Sequence, residues 1–160
     1  MTYFLRVIRQ TRWLKYPDLD WLPVGGLQGD ALGDLQTTGN ALSIFKVESE
    51  TDKERVVIGL AANRDNLANL DYAVFEDSLF NTLGIAAEQR EGATPDIQVN
   101  NLHYELRNLT VGQVAQLAQV VSTGEHGRIS RKQVKSQLQA AISAGTVDRG
   151  RLKPQLLKDL

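Results

Sequence analysis

The chain has 160 residues with 42% hydrophobic and 23% charged side chains and a formal net charge of -1, which is the composition of an ordinary folded domain and excludes a disordered or fibrous chain. It contains no cysteine, so disulfides, thiolate catalysis, iron–sulfur clusters and cysteine-ligated zinc are excluded by chemistry. Arginines interrupt the apolar N-terminus MTYFLRVIRQTRW and no apolar run approaches the ~20 residues of a membrane span; the expectation is a cytoplasmic protein with no membrane partner.

Residues 2–10, TYFLRVIRQ, alternate in phase, with Phe4, Arg6 and Ile8 on one side and Leu5, Val7 and Arg9 on the other. That period predicts a strand. Pro17, Pro23, Asp18 and Asp20 then favour turns, so residues 12–40 read as a long loop, one that is functional or flexible or else conceals a short helix such as 30–36. ALSIFKVESE and RVVIGLAAN predict an antiparallel pair of strands, 41–48 and 55–62, joined by the polar SETDKE. From Arg64 the apolar spacing becomes irregular and predicts helix, clearest over 76–83 and stopped by Gly84. DIQVNNLHYELRNL reads as a further strand whose register slips at Asn100 and Asn101.

The last third is helical. Thr110 with Gln113, and Ser130 with Gln133, carry the capping-box spacing ahead of two amphipathic runs closed by Gly124 and Gly145; Pro154 suits the first turn of a short terminal helix. The expectation is therefore an α+β fold: a mostly antiparallel sheet of about four strands from the first two thirds, packed with a helical C-terminal layer. Residues 1–109 form the body with its 12–40 loop, and 110–160 a basic helical segment of the same domain.

Charge is unevenly placed. Residues 1–110 hold 10 basic and 16 acidic side chains, residues 111–160 hold 8 and 3, a split that suits an acidic partner or the protein's own acidic body. Arg128, Arg131, Lys132 and Lys135 start one helix and Arg149, Arg151 and Lys153 the next. Cations at helix starts oppose the dipole, so these seven are candidates for binding nucleic acid or an acidic protein.

The acidic and aromatic stretch containing Tyr72, Phe75, Glu76 and Asp77 is a candidate protein-docking surface, set against the reading of its aromatics as core. Only two histidines exist. His103 lies two positions from Glu105 on one strand face turned towards polar surroundings, a weak acid–base pair; His126 lies in a glycine-flanked connector.

The glycines at 25, 26, 29, 33 and 39 fit neither a P-loop nor a dinucleotide loop, and the charges within 21–40 are acidic. Asp30 and Asp34, with Asp18 and Asp20, offer hard oxygens for a cation without the order of a calcium loop. Trp13 and Trp21, with Tyr16, suit a staple pinning the loop to the sheet. No cofactor motif is present. The functional expectation is a non-catalytic adaptor or accessory protein acting through a protein partner. The alternatives are a nucleic-acid-binding module built on the basic helices and a small hydrolase-like enzyme using His103 and Glu105 or a metal at Asp30 and Asp34.

Overall fold

The computed structural model describes residues 2–9 and 26–160. In chain order the elements are β1 (Tyr3–Ile8), α1 (Asp30–Asp34), β2 (Leu42–Val47), α2 (Glu50–Ala62), β3 (Leu70–Glu76), α3 (Ser78–Leu83), β4 (Ala86–Gln89), α4 (Ile97–Asn100), β5 (His103–Arg107), α5 (Val111–Thr123), β6 (Glu125–Ile129), α6 (Arg131–Ser143) and α7 (Pro154–Asp159). The strands form one sheet in the order β4-β5-β2-β1-β3-β6, antiparallel at every pairing.

The α+β class stands, with two corrections. There are six strands among the described residues rather than about four, and helices cover both faces of the sheet rather than forming one C-terminal layer. Alternation along the strands explains the second. Phe4, Ile8, Ile44, Phe75 and Leu106 turn to one face and bury against α1, α3 and α5 through Leu35, Phe80 and Leu117. Leu5, Phe45, Val47, Leu70 and Val74 turn to the other and bury against α2, α6 and α7 through Val56, Leu138 and Leu156. A central sheet apolar on both faces needs a cover on each, and α2 from the N-terminal half supplies part of the second.

Residues 55–62 are helical, not a strand. Ser49 caps α2 by accepting from the Asp52 N–H, and the helix buries Val56, Val57, Ile58, Gly59, Ala61 and Ala62. A helix packed on most of its circumference loses its amphipathic period, and its Val-Val-Ile run then imitates a buried strand. Residues 70–76, expected to be helical, form β3 beside β1, and the predicted helix over 76–83 begins at Ser78. The strand expected over 96–109 is divided: Asp96 caps the single-turn α4, and only His103–Arg107 is extended. Both capping boxes form as expected, at Thr110 with Gln113 and at Ser130 with Gln133.

The short helix expected in the 12–40 loop is α1. After it, Thr38 and Ala41 exchange both backbone hydrogen bonds across Gly39 and Asn40, whose φ angles are 59° and 58°. Two consecutive positive φ values define a type I′ hairpin turn, which glycine and asparagine tolerate best. Gly127 has a different constraint. In the pairing of β3 with β6 it lies opposite Tyr72, and a Cβ built there would overlap the phenol ring. Gly127→Ala is expected to cost about 1.5 kcal/mol in chemical denaturation, and pairing it with Tyr72→Ala should recover most of the loss in a double-mutant cycle.

Candidate functional site

The site begins as a fault in the sheet. β1 stays beside β3 from Tyr3 to Ile8, but pairs with β2 only from Tyr3 to Leu5, opposite Val47 to Phe45. Beyond Leu5 the two strands part, and the Arg6 side chain enters the gap. Its Nη1 donates to the Ser43 carbonyl of β2 at 2.7 Å and its Nη2 to the Asp34 carbonyl at the end of α1 at 3.0 Å. The outgoing end of β1 is held by α1 instead: the Arg9 N–H donates to both carboxylate oxygens of Asp34, at 2.9 and 3.1 Å.

Arg6 shares its strand phase with Phe4 and Ile8 and is drawn inward with them. Burial pushes its guanidinium down to about 10, opposed by the Asp34 carboxylate and reinforced by the positive charge of Arg9. Its two described contacts are neutral carbonyls, and its Nε is enclosed without a hydrogen-bond partner. A guanidinium has five N–H donors. A half-buried guanidinium with an enclosed, unused donor, sharing the Asp34 carboxylate with Arg9, is an arrangement that a further anion would relieve.

A cavity opens on each side of the fault. The one towards α2 has a volume of about 440 Å³, with an apolar floor of Val7, Phe45, Leu60 and Ala93 and polar walls from Asn63, Thr94 and His103. The one towards α1 has about 410 Å³ and is lined by Gly33, Asp34, Gln36, Thr38 and Ala41. Arg6, Arg9, Ser43 and Glu105 line both, which makes them one two-chambered cleft within the size range of small-molecule sites, roughly 300–1,000 Å³.

His103 and Glu105 meet in this cleft because β5 places them on one face, opposite Phe45 and Ser43 of β2. The expectation that His103 faces polar surroundings needs correction. It is 8% exposed, its ring centroid lies 5.1 Å from that of Phe45, and its Nδ1 is 3.2 Å from the Arg90 carbonyl. A carbonyl only accepts, so Nδ1 is the donor of this contact.

The wall opposite β1 is rigid. Thr94 donates from N and Oγ1 to Asn100 Oδ1 at 2.7 and 2.8 Å, and Asn100 Nδ2 returns a bond to the Thr94 carbonyl at 3.1 Å. Asp96 next to it receives Arg55 through Nε at 2.9 Å and Nη2 at 3.3 Å, while capping the N–H groups of Gln98 and Val99. Arg55 also donates to Gln98 Oε1.

The other sequence candidates are dispersed. Arg128 pairs with Asp71 at 3.7 Å, Lys153 with Asp65 at 2.8 Å, and Lys135 donates to the Asp159 carbonyl at 2.7 Å, so three of the seven basic side chains bind the protein's own surface. Arg131 and Lys132 stand at the start of the 13-residue α6, and Arg149 and Arg151 follow its far end, about 20 Å away at 1.5 Å per residue. Phe75 is core. Tyr72 faces the opposite side of the sheet over Gly127, while Glu76 and Asp77 are exposed at the end of β3. Asp34 is buried and Asp30 exposed on α1, and among the described residues no three metal-ligating side chains come together. Trp13, Tyr16, Asp18, Asp20 and Trp21 lie outside the described residues. No described helix is long and apolar enough to cross a membrane.

Arg6 and Arg9 are the functional candidates that sequence reasoning passed over. The signal was present: an arginine in phase with Phe4 and Ile8 on an alternating strand must be buried, and a buried arginine needs a partner. Comparison of the chain with models of known families, with curated proteins and with solved structures finds no match to any of them.

Proposed function

We propose that this chain is a small-molecule-binding protein whose cleft receives an anionic group on Arg6 and Arg9. The observation that carries this reading is the Arg6 guanidinium, half-buried at the junction of two cavities, hydrogen-bonded to two neutral carbonyls and with an enclosed Nε left over. Two guanidinium groups, Arg6 and Arg9, stand beside the one carboxylate of Asp34, and a bound anion would supply a second countercharge where arginine is well suited to grip planar oxyanions. The test is thermal denaturation of the full chain against a panel of small carboxylates and phosphates. A ligand present at ~100 times its Kd stabilises by about 2.7 kcal/mol, a rise of roughly 5–10 °C in Tm. Arg9→Ala should abolish the rise for every responding ligand. An equal rise in that variant, or no response across the panel, would end the reading.

The protein-interaction reading keeps one observation in its favour. At the other end of β1, Tyr3, Phe75, Leu79 and Val120 line an apolar groove of about 450 Å³ bordered by Glu76 and Glu125. An apolar slot with a negative rim suits a basic partner segment, and reversing both rim charges to lysine would remove such a partner from co-purified material.

A further inference from the structure

We infer that the ligand is a zwitterion of amino-acid type with an apolar side chain, its carboxylate on Arg6 and Arg9 and its ammonium on Glu105 and Glu91. This rests on the anion-binding reading above and adds the second charge and the side chain. The larger chamber is lined by two guanidinium groups, Arg6 and Arg9, and two carboxylates, Glu91 and Glu105. Among the described residues the salt bridges include none between these arginines and these glutamates, and the carboxylate that acts on Arg6 is Asp34.

The fold keeps them apart. Arg6 is tied by two carbonyls in the fault beside β1, Glu105 stands on β5 with β2 between, and successive strands are spaced about 4.8 Å. Glu91 begins the segment leading into the wall pinned by Thr94 and Asn100, with Gly92 N–H bonded to the Asn100 carbonyl at 3.1 Å. The result is a cavity with a positive side and a negative side, lined between them by the apolar Val7, Phe45, Leu60 and Ala93.

That arrangement selects by charge. A phosphate or dicarboxylate facing Arg6 meets repulsion from Glu105 and Glu91, and a simple amine meets the two arginines. A molecule carrying one carboxylate and one ammonium satisfies both sides, and the floor takes its hydrocarbon branch.

Calorimetric titration of the full chain with three probes of matched hydrocarbon tests this: L-leucine, 4-methylpentanoate, which lacks the ammonium, and 3-methylbutylamine, which lacks the carboxylate. L-leucine is expected to bind at least about tenfold more tightly than 4-methylpentanoate, as loss of one charge-assisted contact implies. Glu105→Gln, nearly isosteric and checked for an unchanged Tm, should bring the two acids to within about twofold. Equal binding of L-leucine and 4-methylpentanoate by the parent chain overturns the zwitterion while leaving the anion site standing. So does a preference for L-leucine that survives both Glu105→Gln and Glu91→Gln. Tighter binding of 3-methylbutylamine than of either acid, or binding of none of the three together with no response to the carboxylate and phosphate panel, overturns both.

Discussion

Asp96→Ala is expected to lower stability by about 3–4 kcal/mol, a fall of roughly 10 °C in Tm for a chain of this size. The carboxylate side chain is 3% exposed and performs two tasks at once. It neutralises Arg55 through two hydrogen bonds at 2.9 and 3.3 Å, and it accepts the first free N–H groups of α4 from Gln98 and Val99 at 2.9 and 3.3 Å. Removal leaves a half-buried guanidinium without a countercharge, with Gln98 still accepting from it, and two cap donors without an acceptor. Both losses fall on groups that water reaches poorly. Asp96→Asn retains an acceptor for the cap and forfeits only the charge, so about half the loss should remain. If chemical denaturation shows Asp96→Ala within 1 kcal/mol of the parent, the 91–100 segment is not pinned as described. A double cycle with Arg55→Met separates the ion pair from the cap.

Much of this fold was legible where local rules act without competition. The capping boxes at Thr110 and Ser130 mark helix starts that tertiary packing has no reason to move. Alternation in residues 2–10 placed β1 correctly, and with it the opposing phases of its side chains. The failures share a cause. α2 is buried on so many sides that its periodicity vanished, and β6, EHGRI, is an edge strand whose polar residues carry no strand-like signal. β3 was hidden because its buried positions fall on both faces of the sheet, Ala73 and Phe75 on one and Leu70 and Val74 on the other, which erases the period of two.

The cleft was half legible. His103 and Glu105 follow from strand geometry and do line it. Their setting did not follow, because the parting of β1 from β2 depends on Asp34, Ser43 and Arg6 meeting across 28 to 37 positions of sequence. No pattern within one segment encodes a fault between two strands; only the misplaced arginine pointed to it.

Arg6→Met is the substitution that separates a binding role from a structural one. Burial holds the Arg6 guanidinium down at about 10, below its value in the unfolded chain. The sign follows: folding disfavours the protonated form at every pH below about 10, and the penalty is relieved only as pH climbs through that value towards ordinary arginine. Around neutral pH the folded chain therefore carries the full cost of this charge. Methionine of similar length removes the charge and the enclosed Nε, leaving the Ser43 and Asp34 carbonyls beside the two cavities, where water can reach them. Desolvation outweighs the attraction of the Asp34 carboxylate at Arg6, so removing the charge relieves more than it forfeits. The expected result is a Tm raised by about 3 °C, equivalent to about 1 kcal/mol, together with a roughly 100-fold loss of affinity for the anions that the parent binds, as removal of a buried charge-assisted contact implies. Stability gained while binding is lost marks a residue held in a strained setting for function. The opposite result, a loss of 3 kcal/mol or more with no change in binding, would make Arg6 a spacer that holds the sheet open and the cleft merely the space around it.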